Sequence, residues 1–217
     1  MSWSMQITNM LRRRFFGWAV LIPIGISTCA PVSAANTTVI PKIASFGIAT
    51  VGVTTIEQLE AQLGPGRAYT GQHPRGAREW ILKNSDWYID ADGFDYNQTG
   101  RVLNSLTVGE SEGSDSSDSD GDPFAHVTRG SIVFLGSITL GMTEWKVKRL
   151  LKSHGVTTYK EAPLSAEQCG CQTVSGPAIT ITETGRAHLT SSDDYTTWTA
   201  EIVFERGRVA YIDLDCY

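Results

Sequence analysis

Cys169 and Cys171 stand as a Cys-Gly-Cys, and Cys216 lies next to the last residue. Thiolates with an imidazole from His154 or His188 would be the ligand types of a zinc site, and a thiol pair is the minimum for redox chemistry. The spacing argues against both. Structural zinc sites separate their thiolates by two to four residues, neither histidine belongs to a paired motif, and no Cys-x-x-Cys occurs. In an oxidising compartment a disulfide from Cys216 to Cys169 or Cys171 is the plainer expectation, tying a surface insertion to the last strand. Closing a loop of roughly 45 residues would contribute about 3–4 kcal/mol. A metal or redox protein built on the Cys-Gly-Cys is the alternative; no cofactor is expected.

Glu201, Asp213 and Asp215 fall on the outward face of the final hairpin and could imitate a paired-carboxylate site. A solvated sheet face explains them more simply, because charged side chains normally sit outside. The chain has no Gly-x-Ser-x-Gly, no His-Glu-x-x-His and no P-loop, and His73, His126, His154 and His188 stand in dissimilar surroundings. The expectation is a protein without catalysis. Aromatic residues point instead to binding. Trp80, Trp87, Tyr88, Tyr96, Tyr195, Trp198 and Tyr211 all fall in expected strands. Trp198 alternates with the core, whereas Tyr211 shares the outward face with Asp213 and Asp215. Trp87 and Tyr88 point to opposite faces, so one of them is expected in solvent. Exposed tryptophan and tyrosine are frequent interface anchors. Trp87, Tyr88, Tyr211, Asp213 and Asp215 are therefore the candidate binding residues, with another protein as the partner.

Charge is unevenly placed. Residues 111–123 read "SEGSDSSDSDGDP", and six acids fall between Glu110 and Asp122. With Gly121 at the sixth position of a calcium loop, Ser116 takes the first and Val127 the last, where a bidentate glutamate is required. Gly, Ser and Asp without apolar residues bury nothing, so residues 109–130 read as an acidic linker. Lys146, Lys148, Arg149 and Lys152 mark the polar side of a helix, a solvated face that could also meet an acidic partner, anionic lipid or the acidic linker of the same chain. No clustered positive surface of the kind nucleic acid requires is evident.

The elements that position these residues occur twice. "FGIATVGVT" (Phe46 to Thr54) aligns without gaps on "LGSITLGMT" (Leu135 to Thr143), and "GRVLNSLTV" (Gly100 to Val108) aligns on "GRVAYIDLD" (Gly207 to Asp215). Two anchors in the same order, one set per half, argue for an internal duplication. In each half a short strand leads through Gly-Val-Thr or Gly-Met-Thr into a helix. Thr54 with Glu57 reads as a capping box in the first half, and Thr143 as the cap in the second. Ile56, Leu59 and Leu63, then Val147, Leu150 and Leu151, recur at helical spacing. Alternating strands follow, separated by turn signals at Asn84-Ser85, at Asn97 to Gly100 and at Arg206-Gly207. The expected fold class is α+β: two tandem modules, each a strand, a short capped helix and an antiparallel three-stranded meander, with the helices on one face.

A strand, Gly-Met-Thr, a capped helix and a hairpin closing on Gly-Arg-Val resemble the module of BamE-type outer-membrane lipoproteins and of the β-lactamase inhibitory protein. The tandem arrangement is closer to the latter, whose two modules form a concave sheet surface. The resemblance implies an exported, non-catalytic, protein-binding module, and it transfers no contact residue to a position in this chain.

Export is also legible at the amino terminus. Arg12 to Arg14 precede an apolar run from Phe15 to Ser27, and Val32-Ser33-Ala34 offers small residues for cleavage after Ala34. "RRRFF" also resembles a twin-arginine signal. Cys29 follows Thr28 in an imperfect lipoprotein box, so a membrane role is expected only if Cys29 is lipidated. Removing three arginines takes the formal charge from −5 to −8. The expected organisation is a signal peptide at 1–34, a first module at 35–108, the linker at 109–130, and a second module at 131–217 with an insertion at 156–176. The chain reads as an exported protein, periplasmic or secreted, that binds another protein. A lipid-anchored envelope assembly component is the alternative.

Overall fold

The computed structural model describes residues 38–68, 77–83, 85–94, 101–110, 124–168, 172–187 and 196–217. The expected signal peptide with Cys29, the acidic stretch 111–123, and Cys169 and Cys171 lie outside them. Residues from Asn36 onward form one compact unit. It is an α+β fold, mostly antiparallel sheet with two helices.

A 3-10 turn at Lys42–Ala44 leads into the small hairpin β1 (Ser45–Phe46) and β2 (Ala49–Thr50), then α1 (Ile56–Leu63). Strands β3 (Arg67–Ala68), β4 (Arg78–Leu82), β5 (Trp87–Phe94) and β6 (Val102–Glu110) follow. The chain resumes with β7 (Phe124–Ala125), a 3-10 turn and α2 (Glu144–Ser153). It ends with β8 (Lys160–Gln168), β9 (Gln172–Gly185), β10 (Thr196–Glu205) and β11 (Arg208–Cys216). One sheet holds them in the order β3-β4-β5-β6-β11-β10-β9-β8, with β7 parallel to β4. The two groups of four strands meet where Leu106 of β6 pairs with Leu214 of β11.

The same backbone joint ties each helix to its half of the sheet. Gly52 N–H donates to the Leu103 carbonyl at 2.8 Å, and Gly141 N–H to that of Val209 at 2.7 Å. Leu103 N–H returns a bond to Thr54 at 2.9 Å, as Val209 N–H does to Met142 at 2.8 Å. Ile56 N–H meets the Arg101 carbonyl and Glu144 N–H that of Gly207. Both glycines have positive φ, 87° and 75°, which a side chain would strain. The first joint holds one residue more than the second, with Val53 left in solvent.

That extra residue moves the helix start. The cap is Thr55 rather than the expected Thr54: Gln58 N–H donates to Thr55 Oγ1 at 3.2 Å, and Gln58 Oε1 accepts from Thr55 N–H at 3.0 Å. Thr54 is engaged elsewhere, its hydroxyl accepting from Thr50 N–H at 2.9 Å. Glu57 reaches sideways to Arg101 at 2.9 Å. Thr143 caps α2 by position without a side-chain bond.

Two further features concern the sheet and the core. Each group has four strands, and the stretch expected as an insertion at 156–176 contains β8 and the start of β9. "KEAPLSAEQ" carries Pro163, which is tolerated because β8 is an edge strand. The halves also share one core. Phe46 and Phe134 meet with ring centroids 5.5 Å apart, and Trp80 and Trp198 are fully buried in the same cluster as residues of both helices. Among the described residues no helix is long and apolar enough to cross a membrane.

Candidate functional site

Period-two alternation gives the sheet two faces. Ile89, Leu106, Ile212, Leu214 and Ile202 turn toward the core, where Val147 and Leu151 of α2 and Leu59 and Leu63 of α1 pack. The opposite face is composed differently. Its first row across the strands runs Ile81, Tyr88, Gly109, Tyr211, Val203, Ala178. The second runs Asp90, Thr107, Asp213, Glu201, Thr180, and the third Asp92, Ser105, Asp215, Thr199, Thr182. An apolar row thus borders two rows of hydroxyls and carboxylates, and the polar residues in them are partly exposed.

The structure therefore brings Tyr88, Tyr211, Asp213 and Asp215 onto one face and puts Trp87 on the other. Trp87 is a core residue, its ring covered by the Arg129 guanidinium 4.8 Å from the centroid. Tyr88 and Tyr211 are not exposed anchors either, at 1% and 6% exposure. Tyr88 fills the space above Gly109, where an added Cβ would come within 2.5 Å of the ring. Tyr211 packs with Leu164, Val174, Val203 and Ala210 in a second, smaller apolar cluster. Leu164 and Val174 come from the β8–β9 hairpin, within the stretch expected as an insertion.

Electrostatics follow from this packing. Thr107 Oγ1 donates to Asp213 Oδ1 at 2.5 Å, and Glu201 lies directly opposite Asp213 across the β10–β11 ladder. Burial first, then the charge of Asp215, push the Asp213 carboxyl up to about 7. Burial and Asp215 also raise Glu201, and burial with Asp213 raises the Tyr211 hydroxyl. Asp213 and Asp215 are close enough to hydrogen-bond to each other.

Cys216 has no disulfide partner among the described residues; it is a buried thiol on the core side of β11, pushed up to about 12 by burial and then by Asp215. Cys216 pairs with Trp198, which pairs with Glu183 of β9. Its expected partners, Cys169 and Cys171, lie outside the described residues. Among the described residues no cluster of three metal-ligating side chains occurs.

Two features escaped the sequence reading. Ser137 Oγ lies 2.7 Å from His154 Nε2, tying the turn after Phe134 to the C-terminal cap of α2. Trp145, second residue of α2, is 68% exposed with the Arg149 guanidinium 4.7 Å above its ring. Its four-residue spacing from Arg149 was the available signal. Comparison with protein-family models, with curated proteins and with solved structures returned no match.

Proposed function

We propose that this chain is an exported, non-catalytic binding protein made of two copies of one module, and that it holds a partner protein on the sheet face opposite its helices. The observation that carries the reading is the composition of that face. Both helices pack on the other side, while Thr107, Asp213, Glu201, Ser105, Asp215 and Thr199 stand partly exposed across three adjacent strands. Hydroxyl and carboxylate rows suit a partner that brings cationic side chains. The repeated joint at Gly52 and Gly141 supports the duplication, as does the resemblance to the tandem inhibitory protein. Export rests on the arginines, apolar run and small residues before Ala35.

The test is affinity capture from the native extracellular or periplasmic fraction with the parent chain and with Glu201→Lys/Asp215→Lys. These side chains are partly exposed, so the variant is expected to stay folded by circular dichroism while losing its captured partner. A folded variant that retains the same partner in the same amount removes the sheet face from consideration.

A further inference from the structure

Helix α2 carries a surface unlike the rest of the protein. Five of the six lysines in the chain lie on it or beside it. Lys146, Lys148 and Lys152 are on the helix, Lys160 opens β8, and the Lys42 ammonium donates to the His154 carbonyl at 3.5 Å. Lys148 is held by Glu144 at 2.8 Å and Glu161 at 2.6 Å. Arg149 and Lys152 have no ion pair among the described residues, although the chain as a whole is acidic.

Between α2 and the segment joining it to β8 runs a groove of about 410 Å³. Val156 and Tyr159 line its floor, Trp145 forms one wall, and Arg149 and Lys152 stand on the rim. The Arg149 guanidinium sits over the Trp145 ring, 4.7 Å from its centroid, and its N–H groups suit a carboxylate. We propose that this groove docks an acidic segment of another polypeptide, with an apolar side chain between Trp145 and Tyr159 and flanking carboxylates on Arg149 and Lys152. Charge complementarity selects an anionic partner. The groove shape selects a chain over a lipid surface, because Val156 is buried and Tyr159 half-buried at the floor, where a side chain reaches and a flat bilayer does not. The carboxylate rows lie on the opposite side of the sheet, so this surface is independent of the binding face proposed above.

Fluorescence anisotropy with labelled Glu-Glu-Phe-Glu-Glu and Gln-Gln-Phe-Gln-Gln peptides tests it on the whole chain. The glutamate peptide is expected to bind, weakening as salt rises, and the glutamine peptide to bind at least about tenfold less well. Arg149→Glu/Lys152→Glu and, separately, Trp145→Ala should each lower affinity by about tenfold or more. Glu201→Lys/Asp215→Lys should leave it unchanged. The proposal is overturned by absence of glutamate-peptide binding, by equal binding of both peptides, or by undiminished binding to a folded Arg149→Glu/Lys152→Glu. Association with phosphatidylglycerol vesicles in place of the peptide overturns it as well.

Discussion

The ring of Tyr88 occupies the space that a side chain at Gly109 would need. The two residues face each other across the β5–β6 ladder, and an added Cβ would sit 2.5 Å from Tyr88 Cε1 and 2.6 Å from its hydroxyl oxygen. Tyr88 is fully buried and has no room to swing aside. Gly109→Ala is therefore expected to destabilise the protein by about 2–3 kcal/mol, the upper range for overpacking a core. Urea denaturation checks this, and a double-mutant cycle isolates the cause. In a Tyr88→Ala background the same substitution should cost far less. Equal costs in both backgrounds would mean the ring is not what forbids the methyl.

The stacked carboxyls make stability fall with rising pH. The folded protein holds the Asp213 proton up to about 7, whereas the unfolded chain releases it near its ordinary value of 3.8. Between those values the native state binds more protons, so unfolding becomes easier as pH rises. Glu201 is shifted in the same direction. At about 1.4 kcal/mol per unit, Asp213 alone accounts for a loss on the order of 3–4 kcal/mol between pH 4 and 7. Asp213→Asn should remove most of that slope, raising the midpoint of urea unfolding at pH 8 much more than at pH 4. A flat profile in the parent chain would show that the carboxyls are better hydrated than their packing indicates.

Cys216 is expected to behave as a core residue. With a thiol pushed up to about 12 and only 5% exposure, almost no thiolate forms at neutral pH. In a Cys169→Ser/Cys171→Ser chain, iodoacetamide should label Cys216 only at the rate of unfolding. Rapid labelling in native buffer would place the thiol at the surface, contrary to its position in β11.

Which parts of this were legible depends on how local their cause is. Trp198, Ala200, Ile202 and Phe204 alternate cleanly because β10 is buried on one face, and all four sit in the core as the pattern requires. Arg206-Gly207 turns the chain because both residues adopt positive φ, as a two-residue hairpin loop demands. The face shared by Tyr211, Asp213 and Asp215 was equally plain. The burial of Tyr211 was not, because Leu164 and Val174 cover it from a hairpin far away in the sequence. Thr55 displaced Thr54 as the cap for a comparable reason. One extra residue in the first joint changes which threonine reaches the helix, and only the pairing with Leu103 reveals it.

Capping therefore supplies a prediction that separates the two helices. Thr55 makes both bonds of its box, whereas Thr143 makes no side-chain bond to its helix. Thr55→Ala should cost about 1 kcal/mol, and Thr143→Ala only a few tenths. Thermal or urea unfolding of the two variants checks the contrast; similar losses would mean that the one-residue offset between the joints has no energetic consequence.

The last prediction concerns cooperativity. Trp198 belongs to β10 in the second half of the chain, yet its indole N–H donates to the carbonyl of Val51 in the first half at 3.0 Å, with both groups buried. The cluster around it draws on Ile43, Phe46, Ile56 and Trp80 from one half and on Phe134, Val147, Ile202 and Leu214 from the other. Two halves of a chain that share a core in this way cannot unfold one after the other without exposing the common surface. Urea unfolding should be a single transition, with far-UV circular dichroism and tryptophan fluorescence coincident. Trp198→Phe leaves the Val51 carbonyl unpaired and the core underfilled, so it should lower the whole transition by about 2–4 kcal/mol rather than split it. Trp145→Phe, at an exposed position, should shift it by less than about 0.5 kcal/mol. A biphasic curve in the parent chain would show that the halves fold independently.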